Sequence, residues 1–115
     1  MLDLSTVCAK LYQIKMADGT VLELKRPTQA LYTTILQLAD KAKTDNADMQ
    51  LIDAAMEVFV RILNRNTEGI EFTREELESD YDFTVALMVM GDYMKFYAEE
   101  IKNTVNFQVA QQTLA

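Results

Sequence analysis

Histidine and tryptophan are absent from this 115-residue chain, which has one cysteine, one proline and three glycines. Without histidine there is no imidazole to act as general base or metal ligand. A Ser–His–Asp triad and a Cys–His nucleophile pair are therefore excluded. One cysteine can form neither an internal disulfide nor a thiolate zinc cluster. Cys8 stands in an apolar stretch with no basic residue before Lys10, and reads as a small apolar filler rather than a reactive thiol. The longest apolar run, residues 85–90, falls far short of the ~20 residues of a membrane span. The start, Met1-Leu2-Asp3, lacks the basic and apolar regions of a signal peptide. These absences predict a soluble, cytoplasmic, non-enzymatic protein with no cofactor or metal.

Half of the residues are apolar and a quarter are charged, the composition of an ordinary globular domain. The length suits a single domain over residues 1–115, globular over 10–103 with mobile ends at 1–9 and 104–115. Residues 1–9 are weakly patterned and fit either a frayed end or an added edge strand.

Eighteen acidic residues against eleven basic ones give a net charge of −7. The acids are unevenly spread. Residues 66–82 carry seven, with Arg74 as the sole basic residue. Such a surface repels phosphate backbones, so nucleic acid is not an expected partner. The stretch reads as a solvated face and helix N-terminal charge, or more sharply as a docking surface for a basic partner. Glu76, Glu78, Asp80 and Asp82 alternate, but no glycine stands where a calcium-binding loop requires one. Paired carboxylates for glycoside chemistry lack any sign of a cleft or sugar platform.

Two strands are predicted over 10–16 and 20–26. A two-residue Asp18-Gly19 loop would oppose Ile14 to Glu23 and mix the faces. A three-residue loop, Ala17-Asp18-Gly19, opposes Ile14 to Leu22 and Tyr12 to Leu24, giving one apolar side. That register calls for a type I turn with Gly19 as a left-handed bulge residue. A lone hairpin is only marginally stable, so its apolar face must rest on helices or on another chain. Its outer edges are expected to be available for strand addition.

Pro27 ends the hairpin and suits the start of a helix. The first helix is predicted over 28–43, with Leu31, Ile35, Leu38 and Ala42 as its stripe. Residues 44–46 form a polar break with capping types. The second helix is predicted over 47–64. Its stripe is Met49, Ile52, Met56, Phe59 and Leu63, widened by Leu51, Ala55, Val60 and Ile62 to an arc of roughly 200°. Residues 66–72 form a loop containing Gly69. Thr73-Arg74-Glu75-Glu76 fits a capping box that starts a short helix, and Asp80 or Asp82 caps the next.

The last helix is predicted over 83–103. Phe83, Leu87, Met90, Met94, Tyr97 and Ile101 lie within about 80° of one another on a helical wheel. Val85, Val89, Tyr93 and Phe96 lie nearly opposite. Two apolar faces imply a central helix or a contact outside the chain. Seven methionines add adaptable apolar surface. Met90 and Met94 read as core, and Met88, near the polar sector, as the better candidate for exposed contact. The fold class is therefore α+β, an N-terminal β-hairpin packed on a mainly α-helical layer of three to four helices. Surplus apolar helix surface without a catalytic set favours binding or assembly over catalysis.

The segment 12–28, with its Asp18-Gly19 turn and the following Pro27-Thr28, resembles the opening of small tail assembly chaperones of long-tailed (siphovirus-type) bacteriophages. Phe72-Thr73-Arg74-Glu75-Glu76-Leu77, followed by a helix rich in methionine and aromatic residues, is similar to their C-terminal half. The resemblance covers residues 10–103 in organisation. It implies a protein that keeps the long, helical tape measure protein soluble while tail tube subunits polymerise around it. It implies a place in the host bacterial cytoplasm and absence from the finished virion. Many such proteins are made in two forms, the longer by ribosomal frameshifting, and the resemblance would make this chain the short form. No catalytic residues carry over. On this reading Val85, Met88, Val89, Tyr93 and Phe96, or their neighbours on the second helix, contact the tape measure protein. Aspartate at Val89 and Phe96 should then abolish partner retention without unfolding. Further partners are the tail tube protein and, through the hairpin edges, a second copy. The alternative is an acidic inhibitor or adaptor that occupies a basic groove on another protein through 68–82, with strong salt sensitivity.

Overall fold

The computed structural model describes residues 1–3, 10–44 and 48–114. A two-stranded antiparallel hairpin, β1 (Tyr12–Lys15) and β2 (Val21–Leu24), is followed by four helices. These are α1 (Gln29–Thr44), α2 (Met49–Leu63), α3 (Arg74–Asp80) and α4 (Phe83–Leu114). The fold is α+β, with the apolar face of the hairpin closed by helices.

The hairpin takes the register set by its apolar alternation. Tyr12 pairs with Leu24 and Ile14 with Leu22, so Tyr12, Leu22 and Leu24 are buried together. The turn closes through Gly19 N–H to Met16 O at 2.9 Å and Met16 N–H to Thr20 O at 2.7 Å. Gly19 has φ +92°, a conformation that costs a side-chain-bearing residue energy and glycine little.

The outer edge of β2 is not open, contrary to the expectation for the hairpin edges. The chain leaving α2 runs along it. Thr67 N–H donates to Glu23 O at 2.9 Å and Lys25 N–H to Arg65 O at 3.1 Å, around an antiparallel bridge between Leu24 and Asn66. Two asparagines shape this return. Buried Asn66 donates to Leu63 O and Ile70 O and accepts from Ile70 N–H. Asn64 exchanges two hydrogen bonds with the backbone of Phe72. Polar side chains that mimic backbone in this way pin a loop that lacks regular structure.

The helices begin where capping chemistry directs. Thr28 Oγ1 accepts from Leu31 N–H at 3.2 Å, and Leu31, Ile35 and Leu38 of α1 are buried. Asp48 caps α2 by accepting from Leu51 N–H at 2.8 Å. The polar break expected to supply caps falls largely on 45–47, outside the described residues. Met49, expected on the buried stripe, is 77% exposed. It lies on the first turn of α2, and the buried run begins at Leu51. Thr73 caps α3 by accepting from Glu76 N–H. Asp82 caps α4 by accepting from the N–H groups of Thr84 and Val85. The Thr84 hydroxyl, which also donates to Asp82, and then these backbone bonds hold the Asp82 carboxyl below the usual carboxylate range.

Helix α4 continues eleven residues past its expected end at 103. The apolar pattern fades there, but no glycine or proline follows Gly91, so nothing in the backbone stops the helix. The mobile end expected over 104–115 is therefore helical over 104–114. Most of the segment expected as an N-terminal end, residues 4–9, lies outside the described residues.

The hairpin exit is where the elements are joined. Tyr93 Oη donates to Lys25 O at 2.5 Å. The Arg65 guanidinium donates to Arg26 O from Nε at 3.2 Å and Nη2 at 2.7 Å. Buried Glu100 pairs with Arg26 at 3.8 Å and Lys10 at 3.6 Å. Burial pushes the Tyr93 hydroxyl up to about 12 from 10.0, against the opposing pull of the Arg65 charge. The raised value means that the fold favours the neutral phenol. That stabilisation is complete below pH 10 and is lost as pH climbs from 10 through about 12. Urea unfolding across pH 8–12 should therefore show a steeper alkaline loss of stability in the native chain than in Tyr93→Phe. The difference should be on the order of 2–3 kcal/mol, at about 1.4 kcal/mol per pKa unit. Arg65→Ala should cost about 2–3 kcal/mol at neutral pH, since a charged donor then leaves Arg26 O without its partners.

Candidate partner-binding surface

The two apolar stripes of α4 have different neighbours. The Leu87, Met90 and Met94 side faces α1 across a shared groove, and Tyr97 meets Tyr32 edge-on with ring centroids 5.1 Å apart. The opposite side faces the hairpin. Tyr93 and Phe96 pack on Tyr12 with centroids 5.4 and 5.5 Å apart. Helix α4 is thus a central helix, and its second stripe is largely covered by the chain itself.

This settles the environment of each residue expected to touch a partner. Tyr93 is 0% exposed and hydrogen-bonded to the hairpin exit. It belongs to the core, and its assignment to a partner surface is corrected. The wheel placed it opposite the seam but could not show that β1 covers that side. Val85, Val89 and Phe96 are partly buried against the core. Met88 alone stands clear, 72% exposed.

The open apolar surface lies on the other side of α4. A groove of about 280 Å³ runs between α1 and α4, lined by Ile35, Leu36, Ala39, Leu87, Gly91 and Met94 among others. Leu36 is 49% exposed. The small residues Ala39, Ala42 and Gly91 keep the groove open, and a Cβ built on Gly91 meets nothing within 4 Å. The sequence reading gave Gly91 no role and left Leu36 outside the α1 stripe. A glycine in mid-helix costs up to about 1 kcal/mol relative to alanine. That unexplained cost was the available signal.

On the hairpin side of α4, away from the groove, Tyr12 Oη donates to Asp92 Oδ2 at 2.5 Å. Burial, then the hydrogen bond and charge of Asp92, raise the Tyr12 hydroxyl well above its ordinary value. The acidic segment has a structural part. Arg74 is held by Asp53, Glu57 and Glu78, which ties α3 to α2. Among the described residues no three acidic or cysteine side chains are arranged to hold a metal ion, and no helix is long and apolar enough to cross a membrane. No family model, curated protein or solved structure matches the chain.

Gly91→Ala should raise stability by about 0.5–1 kcal/mol, because the added methyl meets open space and lowers the entropy of the unfolded chain. Thermal unfolding measures this directly. Phe96→Asp should instead cost at least about 2 kcal/mol, since it places a charge against the packed aromatic cluster.

Proposed function

We propose that this chain is a non-enzymatic binding protein that shelters an apolar helical segment of a long client in the α1/α4 groove. Following the resemblance of residues 12–28 and 72–77, the client is the tape measure protein of a long-tailed bacteriophage, held soluble in the host cytoplasm until tail tube subunits enclose it. The carrying observation is the open apolar groove, on whose wall Leu36 stands 49% exposed. Its apolar lining suits a row of aliphatic side chains, as an amphipathic helix presents at i, i+3 and i+4. The methionines lining it, Met90 and Met94, adapt to clients that share hydrophobicity rather than sequence. Several copies along one client would add avidity.

The site differs from the face first expected. Its residues are Leu36, Ala39, Leu87, Met90, Gly91 and Met94, with Val85, Val89 and Phe96 packed against the core and Met88 exposed outside the groove lining.

Gly91→Trp fills the groove from an exposed backbone position. It should abolish co-purification of a co-expressed tape measure fragment, leaving the thermal midpoint within a few degrees of native. Retention by native protein should change little between low and high salt, as apolar contact requires. Undiminished retention by the folded Gly91→Trp variant would rule out the groove. Retention that collapses as salt rises would favour an acidic adaptor acting through 68–82.

A further inference from the structure

A separate cavity of about 480 Å³ opens between the hairpin turn and α3. Its volume lies within the ~300–1,000 Å³ of small-ligand pockets. Met16, Phe72, Leu77 and Tyr81 supply apolar wall, and Ile70, 40% exposed, adds to it. The charged lining has one sign: Asp18, Glu76 and Asp80, with no lysine or arginine. Arg74, on the same helix as two of these acids, is engaged by Asp53, Glu57 and Glu78.

Three features suggest that this cavity is made for a cation with an apolar stem. First, Asp18, Glu76 and Asp80 line a hollow whose remaining walls are mostly apolar, so carboxylates and apolar surface meet in one cavity. Second, Asp80 has no hydrogen-bond or ion-pair partner among the described residues. It is also the last residue of α3, where the helix dipole disfavours negative charge. No basic residue occupies that last turn to offset it. Departures from local consistency of this kind concentrate at functional sites. Third, the walls are tied in place. Tyr81 Oη accepts from Ala17 N–H at 2.9 Å, and Thr20 N–H holds the Asp18 carboxylate at 2.9 Å.

We propose that this cavity receives an arginine or lysine side chain of a partner protein, its aliphatic stem on Met16, Phe72 and Tyr81 and its cationic head among Asp18, Glu76 and Asp80. Long basic side chains bury their stems on apolar surface while the charged head stays among polar groups. The incoming cation meets carboxylates of one sign, so binding here depends on salt. The α1/α4 groove is apolar and set apart by its lining residues, so failure of either site leaves the other standing.

The probe is N-acetyl-arginine amide, titrated into the isotopically labelled full chain and followed by backbone amide shifts. N-acetyl-citrulline amide, matched in shape but uncharged, is the control. Saturable shifts should centre on Ala17, Thr20, Phe72 and Tyr81. Binding should weaken at least about five-fold with the citrulline probe, and at least about three-fold in Asp80→Asn or in about 0.5 M sodium chloride. Asp80→Asn without probe should show a raised thermal midpoint, which also reports that the variant is folded. Equal shifts from both probes would overturn the proposal. So would unsaturable shifts spread over the acidic surface to Asp53 and Glu57.

Discussion

The hydrogen bonds on the hairpin exit, at Lys25 and Arg26, are the constraint on which the rest of the structure depends. The hairpin is too short to stand alone, and Pro27 fixes the direction in which the chain leaves it. Three elements distant in sequence converge there. The loop after α2 pairs with Lys25 N–H and grips Arg26 O through Arg65. Helix α4 reaches Lys25 O through Tyr93 and Arg26 through Glu100. With both ends of the junction held, β2 cannot slide against α4, and α1 starts from a fixed point. The groove between α1 and α4 follows from that geometry.

The same constraint decides which apolar surface is core and which is free. One stripe of α4 is used by the hairpin, through the Tyr12, Tyr93 and Phe96 cluster. The other stripe meets α1 only part of the way, because Ala39, Ala42 and Gly91 leave room where larger side chains would have closed it. The acids divide in a similar manner. Some balance Arg74 and fasten α3 to α2, while those lining the cavity at the hairpin turn have no cation beside them. The chain therefore offers an apolar groove and an acid-lined apolar cavity, chemically unlike and lined by different elements.

Much of the local structure was legible in the sequence. The alternation of Tyr12, Ile14, Leu22 and Leu24 admitted one loop length, and the observed register has it. The cap at Thr73 followed from side-chain type and position, and of the two aspartates offered for the next helix the structure uses Asp82. What could not be read depended on contacts between distant segments. A helical wheel finds two stripes on α4 but does not say that β1 covers one of them, so Tyr93 was placed on the wrong side of the surface. The pairing of residues 65–67 with β2 carries no alternation to announce it, resting instead on two asparagines that stand in for backbone. The helical turns after Asn103 lie where the polar residues outnumber the apolar ones, and hydrophobic periodicity gives too weak a signal there to carry the helix on.

The methionines provide the most direct test of the central claim, that a client lies in the α1/α4 groove. A methyl spectrum of methionine-labelled protein, recorded with and without a tape measure fragment, reports every relevant surface at once. Met90 and Met94 line the groove, Met16 lines the cavity at the hairpin turn, Met49 and Met88 are exposed elsewhere and Met56 is buried. The account predicts that Met90 and Met94 shift on binding while Met49 and Met56 do not. Binding that leaves Met90 and Met94 unmoved would contradict it.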